Sequence, residues 1–201
     1  MPGITAPRYA ITLDGRGRDD LTTALTGLEL RESLEAPAEL ELTLAAPLAG
    51  GPPLLDDATL EVGRALELAL VRDDGRAALF LGDVTEVAPR FPVASAATLT
   101  LRAVARTRRP PQQAIGAAAP LTPQLAYGDA LIEASLARSG RTLVTGTALT
   151  GGPPTIRPGS AVELVGLGAR WSGTYAVTAA THRFGPDGHE TAFDVRREVA
   201  P

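Results

Sequence analysis

Two histidines, His182 and His189, are the first residues to weigh for chemistry. They stand seven apart across the turn Pro186-Asp187-Gly188, with Glu190 directly after the second. Hairpin neighbours converge in space, so two imidazoles and a carboxylate could be drawn as a metal site. The spacing is loose, however, and a histidine on a half-exposed strand or at a turn is ordinarily structural, so no metal is expected. Ser160, in Pro158-Gly159-Ser160-Ala161, lacks the second glycine of a nucleophile elbow and precedes a strand instead of a helix. Gly15-x-Gly17 and Gly166-x-Gly168 lack the third glycine and following helix of a dinucleotide loop, and turn formation explains both. Asp56-Asp57 and Asp73-Asp74 are paired carboxylates with no acid or base partner near in sequence, and they read as solvated turns. Trp171, Tyr175, Phe184 and Phe193 could stack a ligand. With one Trp, three Tyr and four Phe in the whole chain, their expected use is in the core.

Composition removes further classes. The 201 residues include no Cys, which excludes disulfides, thiolate metal sites and cysteine nucleophiles. All 19 basic residues are Arg, so a P-loop lysine, a Schiff base and a Ser-Lys dyad are excluded too. Residues 1–106 carry 16 acids and 10 Arg, a net of −6, while residues 107–201 carry 7 acids and 9 Arg, a net of +2. Neither part has the clustered basic surface that nucleic acid requires. No stretch approaches the roughly 18 apolar residues of a membrane span, and the N-terminus lacks the pattern of a signal peptide. The expectation is a chain that folds in the cytoplasm, without a membrane anchor, and is not an enzyme.

What the sequence does contain is a repeat. Glu61 to Arg106 and Arg157 to Val199 share an order of events: a Gly, the run Ala-x-Glu-Leu, an aromatic-x-Gly step, Val-Thr, Arg-Phe, a loop, and an apolar-x-apolar-Arg ending. Gly63, Ala65, Glu67 and Leu68 answer to Gly159, Ala161, Glu163 and Leu164. Phe80 and Gly82 answer to Trp171 and Gly173, Val84-Thr85 to Val177-Thr178, and Arg90-Phe91 to Arg183-Phe184. Leu99-x-Leu101-Arg102 matches Phe193-x-Val195-Arg196. The register slips by two residues after the aromatic-x-Gly step, and an even slip leaves every side chain on its strand face. One building unit is thus used twice.

The elements that would position these residues are mostly strands. Arg8 to Asp14 alternates at period two, and Leu28 to Leu34 with Ala38 to Leu44 form a hairpin. Its oily face carries Leu28, Leu30, Leu34, Leu40, Leu42 and Leu44; its polar face includes Glu29, Arg31, Glu39 and Glu41. Thr59 to Val71, Ala77 to Val87 and Ala97 to Arg106 make the first copy. Val84 and Val87, like Val177 and Ala180, are apolar at a spacing of three, which predicts a β-bulge near Thr85–Glu86 and another near Thr178–Ala179. Arg106 to Pro123 has linker composition. Spacings of three and four over Tyr127 to Ser139 predict a helix, with Gly140 at its C-terminal end. The fold class is therefore mainly all-β: two similar small β-barrel domains at 1–106 and 124–201, joined by a linker at 107–123, with one short helix in the second.

One passage is more specific. Arg157-Pro158-Gly159, Val162-x-Leu164, then Trp171-Ser-Gly173-x-Tyr175-x-Val177-Thr-x-Ala180-x-His182-x-Phe184, followed by Thr191-x-Phe193-x-Val195-Arg196, resembles the end of the baseplate hub family. That family includes the late-control protein D of contractile phages and the hubs of type VI-like injection systems. The resemblance implies two β-barrel tube domains per chain, a homotrimer, and a pseudo-sixfold ring that joins a hexameric tail tube to a three-fold spike. The residues Gly159, Trp171, Gly173, Tyr175, Val177, His182, Phe184, Thr191, Phe193 and Arg196 would then be structural. Glu29, Arg31, Glu39 and Glu41 would face the lumen or a neighbouring subunit. The implied partners are further copies of the chain, a hexameric tube protein, a separate spike protein and other baseplate proteins, with no cofactor, assembled into a phage tail-like particle. The family's large middle insert and its spike are missing here, which fits a minimal hub or an adjacent ring or adaptor. A monomeric ligand- or carbohydrate-binding double β-domain is the alternative from another class.

Overall fold

The computed structural model describes residues 8–48, 53–72, 75–93, 95–106, 130–136, 142–151, 155–186 and 188–199. The protein is all-β: the twelve strands among the described residues are β1 Arg8–Leu13, β2 Arg16–Gly17, β3 Leu25–Ser33, β4 Glu39–Ala45, β5 Ala65–Arg72, β6 Gly75–Arg90, β7 Thr98–Ala105, β8 Ala130–Leu136, β9 Thr142–Gly151, β10 Ala161–Leu164, β11 Gly173–Gly185 and β12 Gly188–Val199. One α-helix, α1 Asp19–Ala24, is present among the described residues.

The chain divides into two compact units whose boundaries interleave. Unit 1 comprises residues 1–30, 37–108 and 183–188; unit 2 comprises 31–36, 109–182 and 189–201. In unit 1 the hydrogen-bonded order is β2-β1-β5-β6-β7-β4-β3. The period-two leucines point into one core: Leu30, Leu40, Leu42, Leu44, Leu66, Leu68, Leu99 and Leu101 are almost completely buried with Ile11 and Leu21. Leu34 departs from this pattern and is partly exposed. It sits in the turn after β3, where Ser33 Oγ accepts from the N–H groups of Glu35 and Ala36, and the turn takes it off the strand face. In unit 2, β9 lies between β8 and β12, and β10 pairs with β11. A second, smaller core collects Val144, Ile156, Val162, Leu164, Tyr175, Val177, Ala180, Phe193 and Val195.

The two copies of the repeat open on the same turn. Gly63, at φ +90°, donates its N–H to the Val84 carbonyl at 2.7 Å, and Val84 donates back to the Arg64 carbonyl at 2.9 Å. Gly159, at φ +87°, donates to the Val177 carbonyl at 2.9 Å, and Val177 donates back to Ser160 at 2.9 Å. Both glycines occupy a backbone region that side chains disfavour.

The bulge after Val84 is present: pairing passes from Val84 opposite Ala103 to Glu86 opposite Arg102, so Thr85 is the extra residue. In β11 the buried positions run Tyr175, Val177, then Ala180 and His182, the spacing of three expected where one residue is added. Thr85 and Thr178 each donate a hydroxyl to a carbonyl on a neighbouring strand, those of Arg102 and Asp194, both at 3.3 Å. A further register shift, between Leu68 and Ala69, lies opposite Phe80 and Ala78. It leaves consecutive Leu79 and Phe80 both buried.

The helix expected over Tyr127 to Ser139 is not formed at 130–136, the part of that range among the described residues. Residues 130–136 are β8, paired antiparallel with β9 from Ala130 opposite Ala148 to Leu136 opposite Thr142. Ala130, Ile132, Ala134 and Leu136 also alternate at period two, and ladder pairing with β9 overrides the helical preference of Ala and Leu. The linker region 107–123 and Asp73-Asp74 lie outside the described residues. The helix that does exist, α1, begins with Asp19 and Asp20, which favour a helix N-terminus, and buries Leu21 and Ala24.

Candidate functional site

Among the described residues, the buried polar and charged side chains gather in unit 2. Glu32, next to the last residue of β3, occupies a position between Leu30 and Leu34 where period two demands an apolar side chain, and it is 8% exposed. Arg157, just before β10, donates from Nε to Glu32 Oε2 at 2.7 Å and from Nη2 to Oε1. His182 Nε2 lies 3.5 Å from Glu32 Oε2, and its Nδ1 is 2.9 Å from Thr191 Oγ1. His182 and Thr191 are each 1% exposed. Burial by itself would raise the Glu32 pKa. The close approach of His182 and the hydrogen bonds and charge of Arg157 outweigh it and hold the carboxyl below its ordinary range. Leu34 N–H donates to the Thr178 carbonyl at 3.0 Å, so backbone and side chains pin this turn together.

His189 stacks on His182, ring centroids 6.2 Å apart at 27°. Burial, with the neighbouring His182, lowers its pKa from 6.5 to about 4. Glu190 is exposed, and no group of three metal-ligating side chains exists among the described residues. The carboxylate near His182 is instead Glu32, already engaged by Arg157. The bidentate arrangement locks a strand end; it presents no open face to a reactant.

The remaining motif residues build a second cluster. Arg197 Nη1 donates to the Ser172 carbonyl at 2.9 Å and Nη2 to the Arg170 carbonyl at 2.6 Å, while its guanidinium lies 4.6 Å from the Tyr175 ring centre. Tyr175 is buried, and its hydroxyl donates to the Trp171 carbonyl at 2.6 Å. A Cβ on Gly173, at φ +137°, would come within 2.6 Å of Arg197 Nη1, so the glycine makes room for the guanidinium. Trp171 packs half-buried against the unit 2 core under Arg170, and Phe193 and Val177 lie within that core. Arg196 is exposed on the opposite face of β12. Phe184 belongs to unit 1, edge-on to Tyr9 at 5.5 Å, so the four aromatics considered for a stacking platform are not assembled into one.

The charged hairpin face is cross-linked. Glu41 and Glu86 both accept from Arg102, at 2.9 and 2.7 Å, and Glu29 accepts from Arg183 at 2.7 Å. Arg31 and Glu39 are exposed. Ser160 closes the turn before β10 by donating to the Arg157 carbonyl at 2.7 Å, in keeping with a strand start. Asp57 is not simply solvated: it accepts from Thr59 and from Arg18, at 2.8 and 2.5 Å, and Arg18 also grips Asp20. Local spacing gave no sign of that long-range clamp.

Neither a protein-family model nor a curated protein sequence matches the chain. Solved structures do. A tail protein from Neisseria meningitidis MC58 superposes with a TM-score of 0.64 at 8% identity, over 96% of this chain and 97% of that one. A 43 kDa tail protein of prophage MuSo2 from Shewanella oneidensis gives 0.65 at 8% identity, over 94% and 98%. The E. coli c3393 protein, a type VI secretion component described as similar to the T4 tail proteins gp27 and gp5, gives 0.54 at 11% identity, over 92% and 74%. At these identities the likeness is one of fold, shared with these tail and type VI secretion proteins.

Proposed function

We propose that this chain is a structural baseplate hub component of a contractile, phage tail-like injection system. Residues 1–106 and 124–201 form its two tube domains, and three copies make a pseudo-sixfold ring between a hexameric tail tube and a three-fold spike. The observation that carries this reading is the duplicated turn, Gly63 with Val84 and Gly159 with Val177, inside a fold shared along nearly its whole length with phage tail proteins. A doubled unit is what three-fold copies need in order to offer six near-equivalent surfaces. Glu32 is held by Arg157, His182 Nδ1 by Thr191 and Arg197 by two backbone carbonyls, and these contacts suit a rigid scaffold better than a turnover site. Native mass measured across concentrations, alone and with the neighbouring tube protein, tests the proposal. A trimer supports it; a chain that stays monomeric in both conditions contradicts it and favours the binding module.

A further inference from the structure

The repeat makes one exposed turn informative. Arg90-Phe91 and Arg183-Phe184 stand at the same step of the two copies, each where the long strand gives way to its return. The second pair is engaged. Within unit 1, Arg183 donates from Nε to Glu29, and Phe184 meets Tyr9 edge-on and lines a hollow with Tyr9 and Leu25. Here a strand-end Arg-Phe fits a carboxylate beside an aromatic-edged apolar notch.

The first pair has no such setting among the described residues. Arg90 is exposed, Phe91 is 61% exposed, and Val93, at the tip of the same turn, is fully exposed. A single surface apolar residue carries no message. A Phe at the head of such a tip whose duplicate, Phe184, packs partly buried against a core does, because the repeated chemistry implies a repeated acceptor.

We infer that the β6–β7 turn, Arg90 to Val93, is the anchor by which one copy of this chain docks on a second copy. Phe91 enters an apolar notch and Arg90 meets a carboxylate there, as Phe184 and Arg183 do in unit 1. Tyr9 and Glu29 are already engaged by Phe184 and Arg183 in each chain, so the acceptor on the second copy is a different surface from these two and from the donor turn. Such a contact is head-to-tail, and it generates a ring when the rotation closes. The inference rests on the hub reading and adds to it the residues that hold neighbours together.

The absence of Cys permits a direct test on the full chain. A single Val93→Cys substitution is labelled with a photoactivatable maleimide, irradiated in the assembled state, and the cross-linked peptides are identified. Cross-links to a second copy of this chain are expected. In parallel, Phe91→Ala is expected to weaken self-association at least about tenfold while leaving thermal unfolding unchanged, since an exposed anchor supports binding and not the core. If the wild type assembles, Phe91→Ala assembles equally well and the label reaches no second copy, this inference is overturned and the hub reading stands. If the wild type stays monomeric with and without the tube protein, both fall together.

Discussion

Replacing Glu32 with Gln keeps the side chain's size and removes its charge. The carboxylate is 7% exposed at its side chain, Arg157 is 16% exposed and His182 1%, so the change strands a guanidinium where water reaches it poorly. Breaking a buried pair by removing one partner costs about 3–5 kcal/mol, and the remaining exposure of Arg157 points to the lower end, about 3 kcal/mol. Urea unfolding at pH 7 reads this as a lower midpoint with an unchanged slope. The pH dependence adds an independent arm. Because the folded-state pKa of Glu32 is lowered, its stabilisation is present above the unfolded value near 4.5 and is lost as pH falls through the folded value. Wild type therefore loses stability in that acid window, and Glu32→Gln loses less. A variant within about 0.5 kcal/mol of wild type, with the same acid limb, would refute the claim that this cluster holds unit 2 together.

Two further outcomes follow from the same structure. His189 has a folded pKa of about 4 against an ordinary 6.5, so the unfolded chain takes up the proton first and stability falls as pH drops from about 6.5 to 4. Discounted for partial exposure, this amounts to about 1–2 kcal/mol, and His189→Gln should flatten that window when unfolding midpoints are compared at pH 7 and 4.5. Gly63→Ala and Gly159→Ala should each cost roughly 1 kcal/mol or more, since both need positive φ in the same turn, and clearly unequal midpoint shifts would argue against structural equivalence of the copies.

The strands were legible because alternation is a local signal. Leu28, Leu30, Leu40, Leu42 and Leu44 alternate with polar residues and are buried as that pattern requires. The repeat was legible because its glycines, its apolar spacing of three and its aromatic-x-Gly steps recur in order. β8 was misread since its alanines satisfy two periods at once, and only pairing with β9 decides between them. The polar cluster was half-read. His182 and Thr191 stood out in the motif, whereas Glu32 and Arg197 were passed over. Both lie at strand positions that share a face with buried apolar residues: Glu32 with Leu30, and Arg197 with Phe193 and Val195. A charge at an inward position is the available signal, but its partner is set by long-range folding: Arg157 is 125 residues from Glu32.

The central claim concerns assembly, and the most direct measurement is electron microscopy of the purified chain bound to its tube protein. Class averages viewed down the tube axis should show three copies of the chain as six β-rich lobes in a closed ring, with three-fold symmetry. Single copies scattered on the tube, or a ring with any other number of copies, would contradict the account.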